Sequence, residues 1–195
     1  MNPEVVPVAV PPDTLLAAAA AAHGGAYIDC YSTQIMGRVT HADFVEAFYT
    51  SWLFKIERRL LGFLASRPAT DSDARKLARS ECHRFSAWRV EARDVDELLL
   101  ADITGRTKSW LMVTHGRCNN DPVIEPIAQP ALEPATLPVT QLLFGSAVLR
   151  LHDAKGKDRG MGAGFHLLLG FHKLYSRRLL GGARARLLRR PDSGA

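Results

Sequence analysis

The spacing of apolar positions changes period twice along this chain. Val45, Phe48, Tyr49, Trp52, Leu53, Ile56, Leu60, Phe63 and Leu64 recur at helical spacing, while Lys55, Glu57, Arg58 and Arg59 fall mostly off that stripe. The pattern predicts an amphipathic helix, or two consecutive helices bent near Thr50–Ser51. From Phe85 to Arg93 the period drops to two: Trp88, Val90 and Ala92 alternate with Arg89, Glu91 and Arg93. That alternation predicts a strand with one buried and one wet face. The helical period returns in Gly164–Leu180, a segment so apolar that most of its circumference is expected to be covered.

Local signals set the boundaries. Tyr27–Met36 mixes aromatic, β-branched and polar residues and reads as a first strand. Thr40 with Asp43 forms a capping-box pattern that starts a helix at His41. Pro68 ends that helical region, and Thr70 with Asp73 repeats the cap for a short helix through Arg79. Asp94–Asp96 supplies a turn, and Glu97–Thr104 is a more fully apolar strand. Gly105-Arg106 reads as a two-residue type II′ hairpin loop, with Thr107–His115 returning antiparallel. Pro122, Pro126, Pro130, Pro134 and Pro138 each remove a backbone donor, so 117–138 is expected to be a proline-rich surface loop without a central strand. Their spacing lacks the PxxP pattern that proline-binding modules read. Val139–His152 follows as a long strand with a bulge or bend at Gly145. Gly181-Gly182 is the expected stop of the final helix. The class is α+β: five strands in an antiparallel sheet, wrapped around a long C-terminal helix.

At 195 residues and 47% hydrophobic composition the chain suits a single domain with a sizeable core. We expect that domain over 26–182, after a disordered Pro/Ala-rich leader over 1–25 that is helical at most across Thr14–Ala22. The leader lacks the basic start and unbroken apolar core of a secretory signal, and its prolines and Asp13 exclude a membrane span there. Cys30, Cys82 and Cys118 are scattered and odd in number, which suits reduced thiols in a cytoplasmic protein rather than a disulfide framework. The net charge of +5 is local. Lys173, Arg177, Arg178, Arg184, Arg186, Arg189 and Arg190 carry seven positive charges, which leaves −2 for the rest of the chain. The tail over 183–195 is therefore basic, although the domain is not. Weak contact with an anionic membrane surface is one reading of the tail, and a solvated terminus is the plainer one. Tyr175 is the only aromatic residue near these cations and no nucleic-acid motif accompanies them, so no specific nucleic-acid partner is expected.

On a helical projection Phe165, Leu168, Leu169, His172, Tyr175, Ser176 and Leu179 share one stripe of the final helix, with Leu167, Phe171 and Leu174 as a ridge beside it. His172 and Tyr175 either hydrogen-bond to a neighbouring strand or point into a cavity under the helix. Asp102 interrupts the apolar run Leu98–Ile103; turned inward it is a candidate for proton transfer, and turned outward it supports the hairpin. Asp29, Tyr31, Arg89, His115 and Gln141 complete the polar candidates. No nucleophile elbow or phosphate-binding lysine loop is present. Gly160, Gly162 and Gly164 fail as a dinucleotide loop because Phe165 stands where its third glycine belongs. His166 and His172 lie on different helix faces, and His115 with Cys118 lacks a second pair, so no metal site and no cofactor is expected.

The order strand, helices, antiparallel meander, long C-terminal helix resembles the helix-grip fold of the START and polyketide-cyclase-like superfamily (SRPBCC). Asp96–Val113 and Phe165–Leu180, with its Phe171-His172 pair, resemble the paired central strands and terminal helix of one uncharacterised branch. The resemblance runs from about Tyr27 to Leu180 and transfers no catalytic residue. It implies an internal apolar cavity for a lipid, polyketide or other hydrophobic small molecule. The expected ligand wall comprises Trp88, Leu100, Phe165, Leu168, Leu169, His172 and Tyr175. The alternative is a cyclase, dehydratase or isomerase using Asp102, His172 or Tyr175 for acid-base chemistry. An interaction module built on the proline loop or basic tail is a third, less favoured, reading.

Overall fold

The computed structural model describes residues 4–23, 26–56, 69–118, 137–149 and 163–189, with side chains at 117–118 and 163–172 outside the described set. The strands are β1 (Val6–Pro7), β2 (Ala26–Met36), β3 (Arg84–Phe85), β4 (Trp88–Arg93), β5 (Glu97–Asp102), β6 (Thr107–Cys118) and β7 (Leu137–Leu149). The helices are α1 (Leu15–Ala21), α2 (His41–Tyr49), α3 (Asp71–Ala78) and α4 (Ala163–Leu188). The strands form one antiparallel sheet in the order β1-β2-β7-β6-β5-β4-β3. The two strands beyond the expected five, β1 and β3, are two residues each, too short for any periodicity to announce them.

Both faces of the sheet are covered. On one, Tyr31, Ile35, Leu98, Leu100, Leu111, Val113, Leu142 and Phe144 pack against Phe44, Phe48 and Tyr49 of α2, Leu77 of α3, and Leu179, Leu180 and Ala183 of α4. On the other, Cys30, Leu99, Trp110, Leu143 and Ala147 pack against Leu16 of α1. This corrects the reading of 1–25 as a disordered leader. Thr14 caps α1, Leu16 and Ala20 are buried, and Leu15 N–H donates to the Glu97 carboxylate at 2.9 Å. Once Leu16 has a hydrophobic socket, the segment gains enough burial to offset its ordering entropy.

The caps form at the expected places. At Thr70 the box is reciprocal, with Asp73 N–H donating to the Thr70 hydroxyl and Thr70 N–H to the Asp73 carboxylate. At Thr40, Asp43 N–H donates to the Thr40 hydroxyl, which in turn donates to the Asp43 carboxylate. The chain breaks helical geometry at Thr50–Ser51 and resumes it over 52–56.

Several expectations need correction. The hairpin after β5 is a loop over 103–106 with Gly105 at φ +73°, not a two-residue type II′ turn. Its length is set by Asp102, whose carboxylate accepts from Thr104 Oγ1, Arg106 N and Thr107 N. The wet face of β4 is interrupted by a bulge between Val90 and Ala92, which sends Ala92 toward the α1 side while Trp88 and Val90 stay on the helix side. Pro138 is in a strand: it pairs with Arg117 next to the end of the ladder, and its carbonyl accepts from Gly37 N at 2.7 Å. The other four prolines lie outside the described residues. Gly145 is neither bulge nor bend, since pairing continues through it on both sides. Finally, Gly181-Gly182 does not end α4, which runs to Leu188. Both glycines stand inside the helix, and a Cβ at Gly182 would lie 3.5 Å from Ser51 Cβ, an ordinary contact.

Candidate functional site

The register of the sheet aligns a polar row across its helix side. Asp29 on β2 pairs with Ser146 on β7, and Ser146 pairs with Ser109 on β6. Ser146 Oγ donates to Asp29 Oδ1 at 2.5 Å, and Ser109 Oγ lies 3.1 Å from the Tyr49 hydroxyl of α2. Serine is too small to fill the space that Leu or Phe occupies elsewhere on this face. A cavity of about 180 Å³ opens along this row, beside Tyr175, Ser176 and Leu179 of α4.

Phe48, Phe54, Trp88, Phe144, Tyr175 and Leu179 supply its apolar and aromatic wall, and Thr107, Lys108, Ser109, Ser146 and Ser176 the remainder. The Lys108 ammonium is committed to the Glu91 carboxylate. Two polar atoms of the lining residues, Ser176 Oγ and Trp88 Nε1, are buried without a hydrogen-bond partner. Leaving such a group unsatisfied costs roughly 1–3 kcal/mol, so each is a standing demand for a partner. Ser176 is a donor and acceptor, Trp88 a donor only.

The surrounding electrostatics favour neutral groups. Burial and then the nearby Asp29 carboxylate push the Tyr31 phenol up to about 12, while Arg177 pulls it the other way. The same causes raise Tyr27. Cys30, on the opposite face, is driven up to about 12 mainly by burial and is an inert thiol at neutral pH. His41, buried at the start of α2, is pushed down to about 4 by burial, against a hydrogen bond to the Leu111 backbone.

The structure brings Trp88 and Tyr175 together at the cavity wall. Leu100 is fully buried in the same core, next to Ser109 in the register, but does not line the cavity. Asp102 is withdrawn from it, its carboxylate occupied by the hairpin turn. Phe165, Leu168, Leu169 and His172 lie on α4, with side chains outside the described residues. Of the other polar candidates, Asp29 joins the row through Ser146; His115 lies beside the Thr140 hydroxyl and Gln141 donates to Ser32, both away from the cavity. Arg89 is exposed. Sequence reasoning missed Ser109, Ser146, Phe48, Phe54 and Phe144 as lining residues. Serines inside otherwise apolar strands were the available signal, but only register shows that two of them are neighbours. Comparison with family models, with curated proteins and with solved structures returns no match.

Proposed function

We propose that this chain is a helix-grip protein of the START and polyketide-cyclase-like kind that holds a hydrophobic small molecule between its sheet and α4. The observation that carries the reading is the aromatic-walled cavity bordered by two unpartnered buried polar atoms, Ser176 Oγ and Trp88 Nε1. Such a lining suits an apolar body with a single oxygen able to accept from both. A dry cavity of roughly 150 Å³ takes up benzene; one of about 180 Å³ suits a one- or two-ring molecule better than a diacyl lipid. The described lining, aromatic and hydroxyl-bearing with its one cation, Lys108, already paired to Glu91, supports binding.

Native mass spectrometry of the purified protein should show a small adduct that denaturation releases. Displacement of an apolar fluorescent dye should then give an affinity that Ser176→Ala and Trp88→Phe each weaken about five- to tenfold, the value of one hydrogen bond. A protein that carries no adduct and takes up no dye would sink the reading. An adduct that is chemically converted on incubation would favour an enzyme instead.

A further inference from the structure

The outer side of α4 carries an arrangement that the cavity does not use. At 3.6 residues per turn, Leu174, Gly181, Ala185 and Leu188 fall along one line of the helix. Lys173, Arg177 and Arg184 flank that line on one side, Arg178 and Arg189 on the other. Ser176, Leu179, Leu180 and Ala183 occupy the opposite, buried side. The two leucines at the ends of this line are open to solvent, Leu174 55% and Leu188 53% exposed, while Gly181 between them is half-buried near Val5. Of Gly164–Leu180, expected to be covered around most of its circumference, only 173–180 has described side chains, and there Lys173, Leu174, Arg177 and Arg178 are exposed.

Among the described residues the cations have no acidic partner. The helix contains no Asp or Glu, and no ion pair joins any of the five to a described residue. Arg177 lies 6.0 Å from the Tyr31 ring centroid and Arg184 Nε donates to the Gln34 carbonyl at 3.0 Å, contacts that position these side chains without neutralising them. A solvated cationic face gains nothing from leucines along its middle. A face that meets a partner both anionic and apolar gains from each.

We propose that this face of α4 docks flat on an anionic phospholipid bilayer, with Leu174 and Leu188 at the acyl boundary and the five cations at headgroup level. Nucleic acid would engage the cations but leave the leucines idle, and among the described side chains of this face, 173–189, none offers an aromatic ring for base stacking. No described helix is long and apolar enough to cross a membrane, so the contact is one of lying on the surface. The proposal concerns the outer side of α4 and stands independently of what fills the cavity beneath it.

Co-sedimentation of the full chain with phosphatidylcholine vesicles, and with vesicles containing about 30% phosphatidylserine, tests it. Binding is expected only to the anionic vesicles in about 50 mM salt, with release at about 300 mM, an arm that needs no variant. Lys173→Gln with Arg178→Gln should weaken binding about 25-fold, at about fivefold per charge. Leu174→Ser with Leu188→Ser should weaken it about tenfold while leaving the salt dependence in place. All four positions are exposed, so unchanged circular dichroism is expected for both variants. No binding to anionic vesicles, equal binding to both vesicle types, or insensitivity to the charge pair would overturn the proposal. So would duplex DNA or an acidic protein bound more tightly than the vesicles and indifferent to the leucine pair.

Discussion

The two faces of the sheet are packed to different standards. On the α1 side, Leu16 is fully buried over Gly145 and Trp110, so closely that a Cβ at Gly145 would lie 2.5 Å from Leu16 Cδ2 and 2.9 Å from Trp110 Cε3. Its polar groups are paired as well: Glu97 accepts from Leu15 N at 2.9 Å and Trp110 Nε1 at 2.7 Å. The helix side has far more aromatic surface, with Phe48, Tyr49, Phe54 and Phe85 in ring contact, yet it keeps a cavity whose lining residues include two unpartnered polar atoms. The difference lies in side-chain size: Leu16 and Trp110 fill one face, while Ser109, Ser146 and Ser176 line the space left on the other.

The contrast can be broken most severely at Leu16. Leu16→Ala should destabilise the protein by about 2–5 kcal/mol, because it empties a fully enclosed socket; chemical denaturation would measure it. A loss within the range of an ordinary surface substitution would show that α1 does not close this face.

Acid should act on the helix side. His41 titrates near 4 when folded, against about 6.5 when unfolded, so the unfolded chain takes up its proton first. Its contribution is complete above pH 6.5 and falls as pH drops through the window from 6.5 to 4, by on the order of 3 kcal/mol. Denaturation midpoints across that window should fall more steeply for the native sequence than for His41→Gln. Parallel slopes would remove His41 from the account.

Gly145→Ala should cost about 1–3 kcal/mol through overpacking. The penalty should shrink in a Leu16→Ala background, where the nearer of the two clashing atoms is gone. A double-mutant cycle reads that coupling directly. The smallest effect belongs to the cavity and has the opposite sign. Ser176→Ala removes an unsatisfied buried hydroxyl and should stabilise the empty protein by about 1 kcal/mol while weakening ligand binding. If it destabilises, Ser176 has a structural partner and the proposed anchor is wrong.

Legibility in the sequence followed the range of the interactions involved. The starts of α2 and α3 were readable because Thr40 and Thr70 act on backbone groups three residues away. The break at Thr50–Ser51 and the antiparallel meander were readable for the same local reason. Gly145 was misread because a glycine permits both a bend and a close approach, and the difference lies in Leu16 and Trp110, both distant in sequence. At the site, Trp88 and Tyr175 were legible as large amphipathic side chains on periodic faces. Asp102 drew attention as a carboxylate in an apolar run, but its turn claimed it.

The sequence by itself determined the α+β class, the local caps, a long final helix and the concentration of positive charge after Arg159. Each follows from periodicity or from interactions within one or two turns of chain. Only the tertiary structure decided that the N-terminal segment closes the second face of the sheet, and that Ser109 and Ser146 stand side by side beneath α4. It also decided that the cations of α4 flank exposed leucines on a surface helix. Those facts depend on strand register and on which surfaces meet. Register sums many weak pairings over the whole sheet, so no single segment carries it.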